Sequence, residues 1–116
     1  MRRLLLAAAA THALLPAVLV AAEPAAAQAR PATCSRDLFQ NEGALRRQQT
    51  RLAAVANADQ ATQCRTWREH VGFLQNARAV FATCQTGAER EQNVAMMDSE
   101  LADYRTLLAN RCGGRR

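Results

Sequence analysis

The chain has 116 residues with 15 arginines, no lysine and 10 carboxylates, a formal charge of +5, and it is 49 % apolar but only 4 % aromatic. A chain of this length builds one small core and has little room for a deep catalytic cleft. A modest positive excess without interleaved stacking aromatics argues against nucleic-acid binding and suits either plain solubility or contact with anionic cell-envelope polymers.

The first 29 residues read as a secretory signal peptide. Arg2 and Arg3 form the positive start, Leu4 to Ala22 is apolar apart from Thr11 and His12, and Ala27-Gln28-Ala29 is a small-x-small cleavage site. Pro16 and the Ala-rich tail favour a cleaved signal over a retained anchor. No other stretch approaches the roughly 20 apolar residues that a transmembrane span needs. Cleavage after Ala29 leaves residues 30–116 as one domain, with Arg30 as its first residue and no transmembrane span.

The domain carries three runs of helical period and no segment of period 2. The first helix is expected from an N-cap at Ser35, with Asp37 in its first turn, to about Asn57, with Leu38, Leu45 and Leu52 one heptad apart and Phe39 beside them. Asp59 is placed to cap the second helix, Gln60 to Cys84. Its apolar positions Cys64, Trp67, Val71, Leu74 and Phe81 follow a 3-4 spacing. Thr86 and Glu89 form a capping-box pattern ahead of a third helix that repeats Val94, Met97, Leu101, Tyr104 and Leu108. Gly113-Gly114 supplies its left-handed end. Short connections between long amphipathic helices make neighbours antiparallel, so the fold expected is an all-α, up-down-up three-helix bundle.

The four cysteines, Cys34, Cys64, Cys84 and Cys112, fall at the helix ends. In an up-down-up bundle Cys34 and Cys84 share one pole and Cys64 and Cys112 the other. Cys64 and Cys84 lie about 30 Å apart on one helix and cannot bond to each other. The pairing expected is therefore Cys34–Cys84 and Cys64–Cys112. None of the spacings matches the close pairs of a zinc site, a thioredoxin-like couple or covalent haem, which leaves structural disulfides of an oxidising compartment.

Candidate sites are few. Arg46, Arg47 and Arg51 make a basic cluster on the first helix with no acidic residue of that helix expected to pair with them locally, which suits an anionic partner. The plain alternative is that the carboxylates of the third helix answer it. Phe73, beside Gly72 and off the main seam, is a candidate partner contact. His70, the sole histidine after cleavage, marks a metal or small-ligand carrier if Met96 and Met97 converge on it, although Met97 already belongs to the core heptad. No nucleophile, base and orienter occur together, so neither an enzyme nor a cofactor is expected. The reading is a non-enzymatic periplasmic or secreted accessory protein of the bacterial cell envelope, binding an envelope protein or anionic envelope component through a helix face. The alternatives are the carrier and a small inhibitor of an extracytoplasmic enzyme.

Overall fold

The computed structural model describes residues 30–113, so the expected signal peptide and Gly114 lie outside the described residues. Three helices account for nearly all of it: α1, Cys34–Ala54; α2, Gln60–Cys84; and α3, Gly87–Arg111. Among the described residues no helix is long and apolar enough to cross a membrane.

The start of α1 differs from expectation. The helix begins at Cys34, one residue ahead of the expected Ser35 cap, with Thr33 at the N-cap position. A turn closed by Cys34 N–H on the Pro31 carbonyl (3.1 Å) leads into it, and the Thr33 hydroxyl bonds to the Asp37 carboxylate (2.7 Å) instead of capping an amide. Asp37 is held below the usual carboxylate range chiefly by that hydroxyl. The end also comes early, at Ala54 and not at Asn57. Val55 and Ala56 close tight i→i−3 bonds, and the Gln63 side chain of α2 donates to the carbonyls of Val55 (3.2 Å) and Ala56 (2.8 Å). Carbonyls that a longer helix would have used internally are thus taken by its neighbour.

α2 starts as expected: the Asp59 carboxylate accepts from the Thr62 amide at 3.1 Å. Its C-terminus passes to α3 through Gln85 and Thr86. Thr86 is the N-cap residue of α3, yet the capping box does not form. The first helical residue, Gly87, has φ +59°, a left-handed conformation that Gly enters readily. At this bent entry Arg30 donates to the Thr86 hydroxyl (3.4 Å), and Glu89 accepts from the Gln85 side chain (3.0 Å). Gly113, at φ +69°, ends α3 as its sequence predicts.

Both disulfides have the expected pairing. Cys34–Cys84 (Cα–Cα 5.1 Å) joins the start of α1 to the end of α2, and Cys64–Cys112 (5.6 Å) joins the start of α2 to the end of α3. Together with Arg78 on Asp98 and Arg51 on Glu69, they fix antiparallel neighbours in the order up, down, up. α2 is central. Among the described residues no Cα of α1 comes within 8 Å of one in α3.

The core consists of Leu74, Ala77 and Phe81 from α2 with Met97 and Leu101 from α3. Leu38 and Leu45 of α1 and Val71, Phe73, Val94 and Tyr104 pack around it. Trp67, expected in this core, is only half-buried and lies outside the cluster. Stepping back from Leu74 in fours reaches His70 and Thr66, and these two polar residues occupy the buried seam where the sequence pattern places Trp67.

Candidate groove between α1 and α3

Because α1 and α3 each pack on α2 but stay apart from each other, a groove of about 470 Å³ opens between them near the Cys34–Cys84 pole. Leu38 and Leu45 form its α1 wall, Phe81 of α2 its floor and Met96 part of its α3 wall. These positions follow from helical period: Leu38 and Leu45 are seven residues apart on one stripe. Phe39 is one residue, about 100°, away from Leu38, so the two cannot point the same way. Leu38 turns to the core and Phe39 is left on the groove rim, 75 % exposed. Met96 and Met97 divide in the same manner: Met97 is fully buried while Met96 is 46 % exposed. Phe39 and Met96 are the two large apolar side chains that the described residues leave exposed, and both border this groove.

The polar part of the lining is acidic or neutral: Glu42, Gln85, Glu89 and Asn93. Glu42 lies one turn before Arg46 and pairs with it at 2.6 Å, with both side chains mostly exposed. The Glu89 carboxylate accepts from the neutral Gln85 amide and lies in the first turn of α3, with no ion pair among the described residues. Two carboxylates and no arginine line the groove of an arginine-rich protein.

The residues expected to mark a partner site fall elsewhere. Phe73 is half-buried, packs against the core and stacks on His70 (ring centroids 5.9 Å apart), away from the groove lining. Of the basic cluster, Arg46 is answered by Glu42 on its own helix, which corrects the expectation that no carboxylate of α1 does so. Arg51 pairs with Glu69 of α2, so the carboxylates of α3 are not its partners either. Arg47 lines a shallow depression with Gln40, Asn41 and Val80. Asn41 is buried there and its amide reaches the Ala77 carbonyl at 3.5 Å, between α1 and α2.

His70 is buried at the junction of all three helices. Its Nδ1 lies 3.4 Å from Gln48 Oε1 of α1, its Nε2 lies 3.9 Å from Glu100 of α3, and Tyr104 meets its ring edge-on at 4.5 Å. Burial pushes the imidazole below its ordinary pKa. Met97 joins the core and Met96 the groove, so the two methionines do not converge with His70 on one site. Among the described residues no three His, Cys, Asp or Glu side chains are grouped to hold a metal ion.

The signal for the groove was present in the sequence as the adjacent pairs Leu38-Phe39 and Met96-Met97. On a helix one member of such a pair must leave the core stripe. Compared with known protein families, curated proteins and solved structures, the chain matches none.

Proposed function

We propose that this is a small, exported, non-enzymatic binding or accessory protein of the bacterial cell envelope, working through the α1–α3 face. One observation carries the reading: the two exposed large apolar side chains, Phe39 and Met96, come from different helices and flank the same groove. Scattered single exposed hydrophobics are ordinary, but convergence on one concavity is the pattern of a contact surface. The compartment is supported by chemistry. All four cysteines are paired in two long-range disulfides, which persist in an oxidising space. The n-region, apolar run and Ala27-Gln28-Ala29 pattern supply a route there.

The test uses the full chain in its host, with a photo-crosslinking aromatic residue in place of Phe39. Irradiation of intact cells should give a discrete envelope-protein adduct, and Arg30 should be the N-terminal residue of the recovered protein. The same substitution at exposed Arg65 serves as the control. Adducts no stronger from position 39 than from position 65, or an uncleaved chain in the cytoplasm, would refute the reading.

A further inference from the structure

We infer that the occupant of the α1–α3 groove is a cationic amphipathic helix of a partner polypeptide, docking as the fourth helix of a four-helix bundle; this rests on the groove being the contact surface proposed above. The shape comes first. α1 and α3 flank α2 without touching through their backbones, and two parallel helices set apart over a common antiparallel third leave a channel that a helix fills. Its lining runs from Leu38 to Leu45 on one side and from Glu89 to Met96 on the other. Each wall is therefore about two helical turns long. An incoming helix would set residues at i, i+3 or i+4, and i+7 against Leu38, Leu45 and Phe81, with Phe39 and Met96 closing over its flanks.

The charge then selects among occupants. The rim carries Glu42 on α1 and Glu89 on α3, one on each side; Arg46 pairs with Glu42 from outside the lining through an exposed contact that a docked cation can share, and no cation pairs with Glu89 among the described residues. Lys or Arg flanking the apolar stripe of the incoming helix would meet a carboxylate on either wall. An anionic membrane surface would meet the same carboxylates with repulsion. A second copy docking face to face across a twofold axis would bring Glu42 and Glu89 toward the same residues of its mate. The complementary partner is thus apolar on one face and basic at its edges.

The chain carries a net charge of +5, so its overall field favours an anionic ligand. A preference for a cationic helix can therefore come only from the local field of the groove. The probes are a fluorescein-labelled Leu/Lys amphipathic peptide of about 14 residues, or four turns, and a Leu/Glu peptide with the same apolar pattern. Both are titrated by anisotropy into the disulfide-bonded protein at low and high salt. The Leu/Lys peptide should bind saturably, and at least about ten-fold more tightly than the Leu/Glu peptide at low salt, with the gap narrowing as salt screens the rim.

The double substitution Glu42→Lys with Glu89→Lys should abolish or invert that preference. Phe39→Ser should weaken both peptides by about ten-fold or more. Circular dichroism and melting of each variant check the fold; all three positions are exposed, so helicity should match the parent, and only the double substitution, which gives up the Arg46 pair and the acidic first turn of α3, should melt a few degrees lower. Equal binding of the two peptides, no saturable binding of the Leu/Lys peptide, or a preference indifferent to the double substitution would each overturn the inference. So would a dimer in sedimentation that Phe39→Ser dissolves, because the second copy would then own the groove. If crosslinking from position 39 succeeds in cells while the Leu/Lys peptide fails, the cationic helix falls and the contact surface stands.

Discussion

At the scale of single residues, His70 and Phe39 are opposites, and each yields a test. His70 is 3 % exposed, and its Nε2 has no hydrogen-bond partner. The groups facing it are neutral Gln48 from α1 and Glu100 and Tyr104 from α3, while Glu69 beside it on α2 turns to Arg51. Burial favours the neutral ring, so the folded-state pKa lies below the unfolded one. The unfolded chain then binds the extra proton first as pH falls. The stability linked to His70 is fully present above pH ~6.5 and is lost as pH drops through the depressed folded-state value. Urea unfolding between about pH 7.5 and 5 should show this loss in the parent and a flatter profile in His70→Gln. A parent that gains stability in acid would mean that Glu100 captures the charged ring. Phe39, by contrast, gives the fold little. Phe39→Ser should change unfolding free energy by no more than about 0.5 kcal/mol, whereas Leu74→Ala, at a fully buried position, should cost about 2–5 kcal/mol.

At the scale of helices, the boundaries show which sequence signals suffice. Asp59 capping α2 and Gly113 ending α3 were legible because each acts within its own turn. Ser35 and the Thr86–Glu89 box do not cap α1 and α3, and at these helix starts partners from other parts of the chain, Cys84 and Arg30, are engaged instead. The heptad stripe correctly gave Leu38, Leu45, Leu74, Phe81, Met97 and Leu101 as inward residues. It could not give the groove, because period fixes which side of a helix faces inward but not whether two flanking helices also meet. The Arg cluster is partly neutralised on its own helix, where Glu42 stands one turn before Arg46 and pairs with it, a contact that i,i+4 spacing makes legible in the sequence. The glycines offer a paired test of local conformation. Gly72 lies within α2, and a methyl group there meets nothing within 4 Å, so Gly72→Ala should stabilise by about 0.5–1 kcal/mol. Gly87 also has open space but sits at φ +59°, so Gly87→Ala should destabilise by about 1–2 kcal/mol. Shifts of opposite sign in the urea midpoint check both; a shift of the same sign would contradict the entry geometry of α3.

At the scale of the whole molecule, the two disulfides have unequal work because the core is unequal. The fully packed cluster is built from α2 and α3 alone, and α1 adds only the partly buried Leu38 and Leu45. Each bridge spans a similar length of chain, with sequence separations of 50 and 48. Chain entropy therefore assigns each about 4 kcal/mol as an upper figure. For a domain whose total stability is on the order of 5–15 kcal/mol, losing both should lower the melting temperature by tens of degrees, at about 4–8 °C per kcal/mol. The two single-bridge variants should separate by location. Without Cys34–Cys84, α1 is tied to α2 only by residues 55–59 at one end and by side-chain contacts such as Arg51–Glu69 and Asn41 on the Ala77 carbonyl. Without Cys64–Cys112, α3 keeps Met97 and Leu101 in the core and the Arg78–Asp98 pair beside them. In native-state hydrogen exchange, Cys34→Ser with Cys84→Ser should deprotect α1 first and leave the centres of α2 and α3 slow. Cys64→Ser with Cys112→Ser should fray only the last turns of α3 and the first of α2. Loss of protection spread evenly over all three helices in the first variant would show that α1 belongs to one cooperative unit with the core, and that the groove it borders cannot open without global unfolding.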